Sequence, residues 1–296
     1  MLTLKDFTTY YLLNCISWIL SFLPRRYVLF LGKSLGYFIF HFIPIRKNVA
    51  INNLEKAFPE IALEEREKIL KKCYSHFGMV LMDFMRMPYL NKKNLEKTVE
   101  ITLQGRKILD SVRKGIIVTG HLGNWELFQP ALSINGYPFI TIAKKQKNLG
   151  ANRFFTNTRE ATGTKLLFKK NSTRNMIKAL KSGFLGLASD QYAGKNGVLV
   201  DFFGHSVSTP RGAAVFHLKT GASLIFGSCL LSKGYTYKIE LEMIPKYNTE
   251  DNIQAIKVIN QKYHAILEQK VKEHPHQYFW FHKKWKGGKC PLVKTL

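Results

Sequence analysis

The sequence predicts an α/β protein: a mixed central sheet flanked by helices, with an N-terminal hydrophobic, membrane-associated helical segment. Three observations carry that reading. Short apolar runs ending in Gly or Asp alternate with stretches of helical spacing. The 296 residues are 46% hydrophobic and 13% aromatic, enough to bury a substantial core. Two apolar stretches open the chain, separated by Pro24-Arg25-Arg26. The division that follows is a membrane-anchoring or interfacial segment over 1–45 and one α/β domain over 46–296.

Residues 10–23 (YYLLNCISWILSFL) are interrupted only by Asn14 and Ser17. A spanning helix needs about 20 apolar residues, so this segment is short. Pro24 breaks it, and the next stretch, 27–44, carries one clear charge, Lys33. Either both segments lie in the cytoplasmic interface as a bent hairpin, or the first dips into or crosses the bilayer. In both cases Arg25, Arg26, Lys33, Arg46 and Lys47 face anionic headgroups. A hairpin buried in a soluble core is the remaining alternative.

Residues 61–84 have apolar positions at 63, 69/70, 73, 77, 80/81 and 84, a helix followed by Pro88. GIIVT (115–119) is a buried strand by length and β-branching. Further strands are expected over 183–189, ending at Asp190, and over 222–231 and 235–244, joined at Lys233-Gly234. Helices fit best at about 124–134, 172–181, 209–220 and 252–273.

Forty-five Lys+Arg against 20 Asp+Glu give a net charge of +25. Such an excess calls for an anionic partner: nucleic acid, an acidic membrane face, or an acidic carrier or substrate. Residues 144–181 alone hold eleven Lys/Arg and one Asp/Glu. No zinc-finger, Walker or RNA-recognition pattern is present, so no specific nucleic acid is expected. Cysteines 15, 73, 229 and 290 are too scattered for a CxxC motif or a disulfide framework and fit a reducing compartment. No cleavable secretory signal is apparent. His274, His276 and His282 lack an acid or Cys to complete a metal site, so neither metal nor cofactor is expected.

The most informative string is Gly120-His121-Leu122-Gly123-Asn124-Trp125-Glu126-Leu127-Phe128. A strand stops at Gly120, so His121 projects at a strand end, where α/β sheets bind ligands. Asn124 reads as the N-cap of the next helix and a substrate contact. On one continuous helix Glu126 would point away from His121; the Gly123 turn can bring its carboxylate back. A His–carboxylate pair then serves general-base catalysis, the carboxylate fixing the tautomer while the other ring nitrogen takes a proton. Pro130 should kink the helix after its first turn. The bland alternative is a structural or capping histidine.

The string resembles the H-x4-D/E motif of membrane acyltransferases and, more closely, the HLGNWE form of the bacterial lipid A late (lauroyl/myristoyl) acyltransferases. The resemblance covers nearly the whole chain: Arg46-Lys47-x-Val49-Ala50-x-Asn52-Asn53-Leu54 with Ala57-Phe58-Pro59-Glu60; Arg159 with Gly163; Ser189-Asp190-Gln191 with Asp201-Phe202-Phe203-Gly204 and Thr209-Pro210-Arg211-Gly212; and Trp280-Phe281-His282-Lys283-Lys284-Trp285-Lys286. Lys283 and Lys284 stand where the family usually has Arg, and lysine lacks the arginine fork.

The resemblance implies transfer of a fatty acyl chain from acyl-carrier protein, or acyl-CoA, to a hydroxyl of a lipid A precursor at the cytoplasmic face of the inner membrane. It makes His121 the base and Glu126 its orienting partner. Another glycolipid or a glycerolipid is an alternative acceptor. Arg159 then binds substrate phosphate or steadies the oxyanion. Asp190 and Gln191 lie beside the site or cap a turn. Thr209-Pro210 starts a helix whose N–H groups, with Arg211, hold an anion or merely form an ordinary cap. Trp280, Phe281 and Trp285, with His282 and Lys283, form a headgroup patch or pack in the core. A basic nucleic-acid-binding protein and a silent membrane scaffold are the remote alternatives.

Overall fold

Thr3 and Asp6 open the first helix with a capping box, each side chain accepting from the other's main-chain N–H. In the computed structural model, which describes residues 3–168, 173–247 and 251–286, this helix is α1 (Leu4–Phe22). Pro24 breaks it as expected, and α2 (Arg25–Phe42) turns back. α3 (Lys47–Ala57) and α4 (Leu63–Arg86) follow, the latter matching the predicted 61–84 helix. Among the described residues no single helix is long and apolar enough to cross a membrane. Arg25–Phe42 and Lys47–Ala57 pass that test only together, bent by 96°.

The hairpin is seated on the body through glycine. A Cβ on Gly36 would lie 2.1 Å from the Tyr74 carbonyl oxygen, and one on Gly78 would lie 2.0 Å from that of Gly32. Thus α2 and α4 meet backbone to backbone, which any larger residue would prevent. The outer faces leave Tyr11, Trp18, Phe22, Phe30, Phe38 and Phe42 exposed.

The rest runs α5 (Lys92–Glu96), β1 (Val99–Ile101), α6 (Leu103–Val112), β2 (Gly115–Thr119), α7 (Phe128–Ile134), β3 (Phe139–Ala143), α8 (Leu149–Glu160), β4 (Lys165–Phe168), α9 (Thr173–Ala179), β5 (Phe184–Ala188), β6 (Val198–Phe202), β7 (His205–Thr209), α10 (Gly212–Thr220), β8 (Leu224–Leu231), β9 (Tyr237–Ile244) and α11 (Asn252–Glu273). Seven strands form one sheet in the order β1-β9-β8-β2-β5-β3-β4. β8, β2, β5, β3 and β4 are parallel; β9 is antiparallel to β8, which makes the sheet mixed as expected. β6 and β7 form a separate hairpin.

Strand alternation divides the core between the two faces. Ile116 and Val118 of β2 join Ile259, Tyr263 and Leu267 of α11, whereas Ile117 joins Leu109 of α6 and Phe128 and Leu132 of α7. The predicted strands 115–119, 183–189, 222–231 and 235–244 are β2, β5, β8 and β9, and the predicted 252–273 helix is α11. The first residue of the predicted 172–181 helix, and Cys290, lie outside the described residues.

Two helix starts differ from expectation. The 124–134 segment is a 3₁₀ turn (Trp125–Leu127) followed by α7. Pro130 thus sits in the first turn of α7, where its missing N–H costs no helical bond. The 209–220 helix begins only at Gly212, because Thr209 is the last residue of β7, paired with Val198, and its hydroxyl donates to the Val198 carbonyl rather than capping a helix.

Candidate active site

β2, β3 and β5 end side by side, and their last residues, Thr119, Ala143 and Ala188, border a cavity of about 300 Å3. Ile117, Phe128, Phe139 and Leu187 give it an apolar wall, while His121, Glu126, Lys144 and Arg159 supply charge. This is the strand-end position where open α/β sheets hold ligands.

The loop after β2 is pinned on both sides. Gly123 has φ +65°, and a Cβ there would lie 1.9 Å from the Cys229 carbonyl oxygen. The Gly123 N–H donates to the Gln277 carbonyl and the Asn124 N–H to that of Cys229, both at 2.8 Å. The Phe279 N–H donates to the His121 carbonyl at 2.9 Å. β8 and the C-terminal segment therefore hold the imidazole in place.

His121 Nδ1 lies 2.6 Å from Asp190 Oδ1, and the His121 main-chain N–H donates to Asp190 Oδ2 at 2.8 Å. Asp190, two residues beyond the end of β5, is 3% exposed. Burial opposes a charged His121, but the charge and hydrogen bond of Asp190 outweigh it and raise the imidazole pKa above its ordinary value. Burial likewise opposes the Asp190 charge, yet His121 and Lys284 hold the carboxyl far below its usual range. An ionised Asp190 favours the proton on Nδ1, leaving Nε2 free to act as a base. The Gln191 amide nitrogen lies 3.1 Å from Nε2, placed to donate to that lone pair.

The expected pairing of Glu126 with His121 is not what the geometry shows. The 3₁₀ turn seats the Trp125 ring against the imidazole, with centroids 4.7 Å apart, and turns Glu126 toward α8. There Arg159 donates to both Glu126 oxygens, from Nε at 2.9 Å and Nη2 at 2.7 Å, and Gln129 adds a bond at 2.7 Å. Glu126 reaches His121 only through its field. Arg159 lies over the Phe84 ring at 5.2 Å. Glu126 and Arg159 both line the cavity as a mutually neutralised wall.

The other predicted residues divide. Gln191 lies at the imidazole, and the His282 ring is 6.1 Å from that of His121. Asn124 is completely buried behind the loop, its side chain capping nothing, and so is not placed as a substrate contact. Trp280 is also fully buried; it stacks on Trp285 at 6.4 Å and donates from Nε1 to the Pro275 carbonyl. With Phe281 and Trp285 buried too, these aromatics are core rather than a headgroup patch. Arg211 is exposed at the start of α10, and Lys283 borders another depression with Lys56 and Lys286; neither lines the His121 cavity.

Lys284, noted in the sequence only as a lysine where the family usually has Arg, stands behind the His121–Asp190 pair. It is 2% exposed, its ammonium donates to the Asp190 carbonyl, and it sits 4.4 Å from the centre of the Phe202 ring. Burial pushes its pKa down to about 8, against the pull of Asp190. The available signal was a basic residue embedded among Trp280, Phe281 and Trp285. Asn53 has a similar supporting role: its amide donates to the Trp280 and His282 carbonyls, both at 2.6 Å.

The chain matches the profile of the family described as "Bacterial lipid A biosynthesis acyltransferase" over residues 1–287. It is 27% identical over 279 residues to the lipid A biosynthesis palmitoleoyltransferase of Escherichia coli (strain K12), covering 92% of this chain and 89% of that protein. It is 24% identical over 277 residues to the lipid A biosynthesis lauroyltransferase of the same organism, with the same coverage of 92% and 89%. A shorter similarity, 24% over 173 residues and 55% of each chain, links it to the phosphatidylinositol mannoside acyltransferase of Mycobacterium tuberculosis (strain ATCC 25618 / H37Rv). A match that runs from the apolar hairpin through the His121 loop to the C-terminal aromatic segment makes this chain a member of the bacterial lipid A biosynthesis acyltransferase family.

Proposed function

We propose that the protein transfers a fatty acyl chain from a thioester donor to a hydroxyl of a lipid A precursor, with His121 as general base and Asp190 as its orienting carboxylate. The observation that carries this reading is the His121–Asp190 pair at the mouth of a cavity with one apolar wall. His121 Nε2 takes the hydroxyl proton as the oxygen attacks the thioester carbonyl. Asp190 steadies the imidazolium that forms. The tetrahedral intermediate collapses, its C–S bond breaks, and the thiolate recovers the proton from His121. The acyl group thus passes directly from sulfur to the acceptor oxygen, leaving a new ester and a free thiol without an acyl-enzyme.

The remaining residues take roles in the same scheme. Gln191 occupies the Nε2 lone pair until the acceptor hydroxyl replaces it. The Glu126–Arg159 pair keeps the cavity wall rigid and near neutral. The donor we favour is acyl-carrier protein, whose acidic surface suits a chain of net charge +25; acyl-CoA is the alternative. Neither metal nor cofactor enters the scheme.

The exposed aromatic face of α1 and α2 supports seating on the anionic cytoplasmic face of the inner membrane. A glycolipid other than lipid A is the second reading, favoured by the similarity to a phosphatidylinositol mannoside acyltransferase. The test is to incubate the protein with acyl-carrier-protein or CoA thioesters and either a lipid A precursor or a phosphatidylinositol mannoside. Mass spectrometry should find one added acyl chain on the lipid A precursor. Addition only to the mannoside selects the second reading, and no addition with any donor overturns both.

A further inference from the structure

A second cavity, of about 390 Å3, lies in the crook between α1 and α2, roofed by the end of α4 and the β8–β9 turn. Leu29, Leu90 and Leu127 form its apolar floor. Four cations line it, Arg25, Arg26, Arg86 and Lys97, with Asp83 the one acid among its described lining residues.

These cations are not equivalent. Arg25 is engaged by the protein: Nε and Nη2 donate to the two Asp83 oxygens at 2.8 Å, and Nη1 donates to the Tyr235 carbonyl at 2.6 Å. That leaves Asp83 already satisfied. Arg86 uses Nη1 to close the carbonyls of Leu20 and Leu23 at the C-terminal end of α1. Burial works against its charge, Asp83 favours it, and Arg25 beside it opposes it. Arg26 lies on the Tyr27 ring at 4.7 Å, and neither it nor Lys97 has a carboxylate partner among the described residues. Arg26 and Lys97 are exposed and Arg86 is half-buried, so three cations rim one space whose single acid among the described lining residues, Asp83, is already bound to Arg25. Such an arrangement suits an anion that brings its own apolar part.

We infer that this crook binds the phosphodiester headgroup of an anionic glycerophospholipid, the phosphate between Arg26, Arg86 and Lys97 and the glycerol end over Leu29 and Leu90. The elbow beside it exposes Phe22, Leu23 and Tyr27, which favours a lipid over a free anion because only a lipid has chains to lay against them. The site rests on the membrane seating proposed for the hairpin. It goes beyond that seating by replacing a diffuse charge attraction with one stoichiometric lipid.

The test is native mass spectrometry of the full chain in detergent with phosphatidylglycerol or phosphatidylcholine. Arg26→Ala/Lys97→Ala is compared with Lys92→Ala/Lys93→Ala, which removes the same charge from exposed α5 residues that do not line the cavity. One phosphatidylglycerol should be retained about tenfold better than phosphatidylcholine. The first pair should lose that preference and the second keep it. Equal retention of both lipids, or equal loss in both pairs, overturns the site, as does displacement of phosphatidylglycerol by inorganic phosphate alone. Flotation with phosphatidylcholine vesicles tests the seating separately: the Arg26/Lys97 variant should still float, and a wild-type chain that floats with no vesicle removes the seating itself.

Discussion

Asp190 holds His121 twice, through the ring at Nδ1 and through the main-chain N–H, with one carboxylate oxygen for each. The same side chain therefore sets both the tautomer and the loop that carries the imidazole.

Asp190→Asn keeps the shape and removes the charge. It should lower kcat/KM by about 10²–10⁴-fold. Asp190 raises the His121 pKa, and a base works only when neutral, so wild-type activity should rise with pH through a value above that of a free imidazole. In the variant that acid limb should move to lower pH. A pH–rate profile measures it, and an unmoved limb would remove Asp190 as the partner.

Lys284 has the opposite sign, since its charge lowers the His121 pKa. Lys284→Met should move the acid limb upward and reduce turnover, because the Asp190 carbonyl also loses its donor. Lys284→Arg should restore most of the wild-type profile. Should Met and Arg behave alike, Lys284 is only packing.

Glu126→Gln separates the two carboxylates. It leaves Arg159 without its fork in a largely buried position, and thermal or urea unfolding should show a loss of about 1–3 kcal/mol. Arg159→Met in the same background should recover part of that loss, the non-additivity expected of a pair. The acid limb should move far less than in Asp190→Asn; an equal movement would return the orienting role to Glu126.

Gly123→Ala tests the loop. A side chain there meets the Cys229 carbonyl and must adopt φ +65°. The cost should be roughly 1–3 kcal/mol, with activity falling further than stability at permissive temperature. A fully active, equally stable variant would show that the loop tolerates displacement.

Much of this site was legible because it is local. The Gly120–Phe128 string announces a strand, a turn and a histidine at a strand end, and the structure has all three. The partner carboxylate was harder to read, since Asp190 lies 69 residues away in sequence. Nearness in the chain and the H-x4-D/E resemblance favoured Glu126, whereas the sheet brings strand ends together: Thr119 pairs with Ala188, so the residues two beyond each, His121 and Asp190, emerge side by side. β3 and β4 escaped notice as strands of five and four residues beside basic segments. Trp280, Phe281 and Trp285 allowed two readings because aromatic–basic strings suit both headgroups and cores, and only packing separates them.

The glycines between α2 and α4 carry one more implication. Helices in main-chain contact at Gly32, Gly36 and Gly78 have no side-chain cushion along which to slide. Under the proposed membrane seating the hairpin is then a stiff keel: the tilt of the hull and the height of the His121 cavity above the surface are fixed together.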